Sequence, residues 1–164
     1  MITGNYRQDL ELVQAWDSFV GRWQYQLLVT LQFNSARRFG GSVRPEDAKE
    51  KLRRWDAHVC RHLLGRHWVT SVHRPFWFFF PEKFGYSPHW HGLVSLDFSD
   101  QDYRVRNIRK LAEYAPIAWK AIVPAGDCDV THIYYQHGIR KYLEKEMLFE
   151  LNYRNVIVPD NFSR

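Results

Sequence analysis

Two histidines separated by one residue, His89 and His91, stand at the start of an apolar run that reaches Leu96. In a β-strand alternate side chains share a face, so both imidazoles point to one side and Trp90 points to the other. Two neutral imidazoles on one face form half of a binding site for a divalent cation. The spacing therefore predicts a metal site on this strand, although isolated histidine pairs are often purely structural.

A second candidate lies near the end of the chain, where Tyr142 and Lys145 are three positions apart in a run typical of a helix. On a helix such residues share a face, which places an ammonium group beside a phenol. A phenol with a pKa near ~10 is a weak nucleophile at neutral pH, and a neighbouring cation eases its ionisation. The pair is a candidate for nucleophilic catalysis. The alternative is a half-buried core tyrosine beside a solubilising lysine.

The elements that would position these residues follow from the pattern of apolar residues. Strands are predicted over residues 25–33, 68–72, 90–98 and 129–134. The aromatic run 76–80 either prolongs the second strand or forms a hairpin arm, and residues 82–88 are predicted as a turn. Helices are predicted over residues 10–20, 45–65, 100–114 and 138–149, with Pro116 opening a further helix. This order predicts an α+β fold in which helices flank one central antiparallel sheet.

Composition limits the classes of protein that the chain can form. The 164 residues are 45% hydrophobic and 25% charged, which indicates one globular domain over residues 1–164 and excludes disordered and collagen-like classes. The net charge of +5 suits an anionic partner, most commonly nucleic acid. Two cysteines are too few for a disulfide framework. No apolar run approaches a membrane helix and no signal peptide is evident, so we expect a cytoplasmic protein without membrane contact.

Three short segments follow one another along the chain in a recognisable order. Residues 28–33 form a predicted strand, residues 88–94 hold two histidines around a bulky residue, and residues 141–145 hold a tyrosine in a predicted helix, followed by lysine. In this order they resemble the three motifs of the HUH endonucleases, the first of which is a strand behind the site. The likeness covers residues 25–146 and points to the single-tyrosine branch of the rolling-circle replication initiators. It also implies the RRM-like sheet topology of that superfamily.

The resemblance implies a metal-dependent endonuclease and strand transferase that starts rolling-circle DNA replication. Tyr142 would attack phosphorus and form a 5′-phosphotyrosine link, while Lys145 would help to ionise the phenol or to place the metal and the phosphate. His89, His91 and a third side chain would hold Mn²⁺ or Mg²⁺. The partner would be a single-stranded or hairpin DNA origin. A helicase would be a separate protein, because the sequence has no phosphate-binding loop of the helicase type.

The third metal ligand has two candidates. In the family it is usually an acid on the strand before the histidine pair. Here His73, which follows the strand predicted over residues 68–72, is preferred to Glu82, which falls in the predicted turn. An all-histidine site would favour Mn²⁺ or a later transition metal over Mg²⁺, because Mg²⁺ prefers oxygen ligands.

Other interpretations stay open at this point. Tyr134 and Tyr135 are rival nucleophiles, although they fall at the end of the fourth predicted strand. The doubtful third ligand leaves room for a catalytically silent DNA-binding module on the same fold. A phosphohydrolase of the histidine-triad type is disfavoured, because Leu93 stands where that motif needs a further histidine.

Overall fold

The structure, a computed structural model, describes residues 11, 14–34, 43–83, 87–139, 141–142 and 156–159. Its sheet consists of β1 (Leu27–Gln32), β2 (Phe76–Glu82), β3 (His89–Ser95) and β4 (Asp127–His132), and its long helices are α1 (Pro45–Leu64) and α2 (Gln101–Ile122). The strands are antiparallel in the order β2-β3-β1-β4. The predicted α+β architecture is therefore confirmed.

Short elements complete this description. A 3₁₀ turn spans Trp68–Thr70, and residues 14–20, 136–139 and 141–142 are helical. Across the described ranges, no helix has both the length and the apolar character needed to span a membrane.

Helix α1 begins and ends where its sequence predicts. Pro45 occupies the first turn together with acidic residues that favour the positive end of the helix dipole. Gly65 follows the last turn with a φ of 76°, a left-handed conformation that favours glycine. The predicted apolar stripe is buried, namely Ala48, Leu52, Trp55, Val59 and Leu63.

Helix α2 is longer than predicted. Asp100 caps it by accepting a hydrogen bond from the Tyr103 backbone N–H at 2.8 Å. The prediction that the helix ends at Tyr114 and a new one opens at Pro116 is wrong, since a single helix continues through Pro116 to Ile122. Packing against α1 stabilises this part of the helix, since Trp55 donates its indole N–H to the Ala115 carbonyl at 3.0 Å. The hydrogen bond that proline removes is a different one, from position 116 to the Ala112 carbonyl four residues earlier.

The sheet has two apolar faces with different covers. On the helix face, Val29, Trp77 and Phe79 belong to the core that α1 and α2 complete. On the opposite face, Phe78 and Phe80 belong to a second apolar group. Further members come from the segments that precede β1 and follow β4, namely Trp16, Phe19, Val20, Trp23, Tyr25, Ile139 and Tyr142. Because β2 packs against apolar residues on both faces, aromatic side chains occupy most of its positions.

The second strand differs from the prediction. Residues 68–72 do not form a strand; the strand is β2, and its partner across the hairpin is β3. The hairpin-arm alternative for the aromatic run is therefore confirmed. Burial explains the shift, because Val72 is 90% exposed whereas the four residues from Trp77 to Phe80 are fully buried. Pro81 is tolerated because β2 lies at the end of the sheet order.

Candidate metal centre and nucleophile

The β2–β3 hairpin brings a carboxylate to the histidine pair. Glu82 lies directly opposite His89 in the antiparallel register, and His91 lies opposite Phe80 on the same face. The Glu82 Oε2 atom is 2.9 Å from His89 Nε2 and 2.6 Å from His91 Nε2. The ligand atoms of these three residues all lie within 4.8 Å of one another. We call this group the three-ligand cluster.

Hydrogen bonds on the far side of each imidazole orient the two rings. His89 Nδ1 is 2.7 Å from the Ser87 carbonyl oxygen. Since a carbonyl only accepts, Nδ1–H donates, which aims Nε2 at the cluster. His91 Nδ1 is 3.1 Å from Thr30 Oγ1, on the neighbouring strand β1. Such outer contacts fix the orientation of metal-ligating histidines.

The electrostatics of the cluster favour an ionised Glu82 and a neutral His91. Burial raises the pKa of Glu82, but hydrogen bonds from Lys83 and His89 and the charges of both imidazoles outweigh burial and lower the pKa to about 2. Burial lowers the pKa of His91, and the charge of His89 adds to this effect against the pull of Glu82. An ionised carboxylate and a neutral imidazole are the forms that ligate metals.

The donor set fits a divalent cation. It combines two imidazole nitrogens with one carboxylate oxygen on a single face of the sheet. This mixture suits Mn²⁺ and other transition metals, and the carboxylate adds the oxygen that Mg²⁺ prefers. The bias against Mg²⁺ expected of an all-histidine site does not apply to this set.

His73 lies outside the cluster. It follows the 3₁₀ turn, not the end of a strand, and its exposed ring packs 5.2 Å from the ring of Phe98. The preference for His73 over Glu82 as the residue beside the histidine pair is therefore corrected. The reason is the shifted second strand: its end falls at Glu82, so the predicted turn begins one residue later.

Tyr142 is brought to the cluster from a different part of the chain. Its ring centroid lies 6.1 Å from that of His91, with the planes 78° apart. The ring is half-buried and packs on the apolar group that contains Phe78 and Phe80. Lys145, the other predicted catalytic residue, lies outside the described residues.

The rival tyrosines have other surroundings. Tyr134 is 92% exposed and Tyr135 is 69% exposed. Their rings contact His132 and His137, respectively. Of these three tyrosines, Tyr142 is therefore the one whose described ring contacts include a histidine of the cluster, His91.

Thr30 is the contact that sequence reasoning missed. It is a polar residue in an otherwise apolar stretch of β1, and this interruption is the one signal that could have marked it. Its role depends on the pairing of β1 with β3, which places Thr30 opposite His91. Register of this kind is not encoded in the local pattern.

Comparison with known proteins adds no family assignment. No protein-family model matches the chain, and no curated protein or solved structure matches it significantly. The resemblance to HUH endonucleases therefore depends on the three motifs.

The Glu82→Gln variant tests the ligand set, because it keeps the size of the side chain and removes its charge. We expect it to weaken Mn²⁺ binding by about tenfold or more, measured by isothermal titration calorimetry. His73→Ala is the matched control and should bind Mn²⁺ like the wild type. Lost binding in His73→Ala with binding kept in Glu82→Gln would reverse the assignment.

The Thr30→Val variant tests the outer contact, since valine keeps the shape of threonine and removes the hydroxyl group. We expect a loss of about tenfold in Mn²⁺ affinity, because the imidazole of His91 is no longer held in orientation. Thr131→Val, on the neighbouring strand β4 and the same face of the sheet, is the control. Equal affinities for the two valine variants would show that Thr30 does not position His91.

Proposed function

We propose that the protein is a metal-dependent nickase and strand transferase that acts on single-stranded DNA, with Tyr142 as its nucleophile. The observation that carries this proposal is the approach of the Tyr142 ring to His91, whose other contacts include Glu82 of the three-ligand cluster. A phenol and a cation site this close could act on one phosphodiester linkage. The motif order and the net charge of +5 also support it.

The proposed reaction exchanges one ester for another. The phenolic oxygen of Tyr142 attacks phosphorus, the 3′-oxygen leaves and takes up a proton, and the 5′-phosphate becomes esterified to the tyrosine. A cation held by Glu82, His89 and His91 would stabilise the charge that develops on the phosphate oxygens. Lys145, three positions after Tyr142 in the sequence, is the proposed cation that eases loss of the phenolic proton. A 3′-hydroxyl can reverse the step, so strands are rejoined without ATP.

Exposed aromatic side chains support a single-stranded substrate. Tyr134 and Tyr135 stand between β4 and the helical segment of Tyr142, and both rings are largely exposed. Exposed aromatic rings provide stacking surfaces for unpaired bases, whatever the sequence. A single-stranded or hairpin origin therefore suits these exposed rings better than an intact duplex. The wider role in rolling-circle replication, with a separate helicase in the cytoplasm, belongs to the same proposal.

The test is formation of a covalent adduct. The protein is incubated with Mn²⁺ and a library of single-stranded oligonucleotides labelled at the 3′ end, and the products are denatured in detergent. We expect labelled protein, because the 5′-phosphate of the downstream fragment stays on the tyrosine. Label at the 5′ end should instead appear in a free shorter oligonucleotide.

Variants identify the nucleophile. Tyr142→Phe and His89→Ala should abolish the adduct, whereas Tyr134→Phe and Tyr135→Phe should retain it, because phenylalanine preserves the stacking surface. An adduct in Tyr142→Phe would place the nucleophile elsewhere. Salt-sensitive DNA binding by the wild type without any adduct would instead identify a catalytically silent DNA-binding module.

A further inference from the structure

A basic groove lies on the outer side of α1, beyond the helix face of the sheet. It has a volume of about 310 Å³ and is lined by Arg53, Arg54, Ala57, His58, Arg61, His62 and Tyr114. The three-ligand cluster and Tyr142 belong to the opposite face of the sheet, with Phe80. The proposed nickase reaction therefore leaves this groove without a role.

The charge of the groove is positive and largely uncompensated. None of the residues that line it is acidic. Arg53 is paired with Glu50 at 2.7 Å, so its charge is partly balanced. Arg54 and Arg61 are exposed and form no ion pair with the residues that the structure describes. A polyanion is the ligand class that complements such a surface.

The spacing of the two unpaired arginines suits a phosphate backbone. Arg54 and Arg61 are seven positions apart on α1, which puts them on the same side of the helix with a rise of about 10.5 Å. The phosphates of one strand follow one another at about 3.4 Å of duplex axis, so two guanidinium groups this far apart can contact two separate phosphates of a backbone. Guanidinium groups bind phosphate through two parallel hydrogen bonds.

The aromatic rings of the groove do not favour base stacking. The rings of His62 and Tyr114 stack on each other at 3.9 Å with the planes 7° apart, so each covers one face of the other. Single-strand binders stack successive unpaired bases on aromatic side chains, and in this pair one face of each ring is already occupied. Contacts to phosphates alone are sufficient for a duplex, whose bases are already paired.

We propose that this groove on α1 is a second nucleic-acid contact, which binds the phosphate backbone of duplex DNA independently of sequence. The nickase face would handle a single strand while the opposite side of the domain holds the adjoining duplex. The groove does not depend on the three-ligand cluster, so duplex binding is expected in the absence of metal.

The test is the binding of a fluorescent 20-base-pair duplex, measured by anisotropy in EDTA over a series of salt concentrations. The Arg54→Glu/Arg61→Glu variant should bind at least about tenfold more weakly, and the slope of log affinity against log salt should fall in magnitude by about two. Lys49→Glu/Arg109→Glu changes the net charge equally on residues outside the groove, and should bind within about twofold of the wild type. Circular dichroism checks that each variant is folded. If the glutamate variant is unfolded, the Arg54→Gln/Arg61→Gln variant replaces it in the binding assay.

Three outcomes would overturn the proposal. Equal losses in the groove variant and the control would show that only net charge matters. A stronger loss for a single strand of the same sequence would make the groove part of the single-strand path. Unchanged duplex binding by the groove variant would show that the groove does not bind DNA. Because no metal is present, none of these outcomes depends on whether the protein nicks DNA.

Discussion

The antiparallel register between β2 and β3 is the constraint on which the candidate site depends. This register places Glu82 opposite His89. His91 lies two residues further along β3, on the same face of the sheet. A slip of one residue would turn the carboxylate to the other face of the sheet. Packing opposes such a slip, since a Cβ atom on Gly92 would lie 2.1 Å from the ring of Phe79, its register partner. The core contact on one face therefore fixes the ligand geometry on the other.

The nucleophile reaches the cluster through a different kind of contact. Tyr142 packs on the apolar group of this sheet face, which includes Phe78 and Phe80 of β2, and its position depends on the helical segment that follows β4. The same strand thus supplies a ligand at its end and a packing surface for the tyrosine along its length. The aromatic residues of β2 therefore help to position the tyrosine that is proposed as the nucleophile.

The local sequence pattern predicted those parts of the structure that depend on residues close together in the sequence. The bounds of α1 followed from Pro45 and Gly65, and the shared face of His89 and His91 followed from strand alternation. The path of α2 through Pro116 could not be predicted, because it depends on tertiary packing against α1. Glu82 was ranked behind His73 for a related reason: two candidate strands preceded the histidines, and only burial in the complete sheet selects between them. The Thr30 contact depends on the pairing of β1 with β3, which brings together two residues 61 positions apart and which no local signal reports.

The central claim is that Tyr142 and the three-ligand cluster form one site, and paramagnetic broadening by Mn²⁺ measures this most directly. Fluorotyrosine can be incorporated throughout the chain and its signals assigned by single tyrosine-to-phenylalanine variants. We expect Mn²⁺ to broaden the fluorine signal of Tyr142 strongly, and that of Tyr103 at the start of α2 much less. A Tyr142 signal that stays sharp while Mn²⁺ binds at Glu82, His89 and His91 would contradict the central claim.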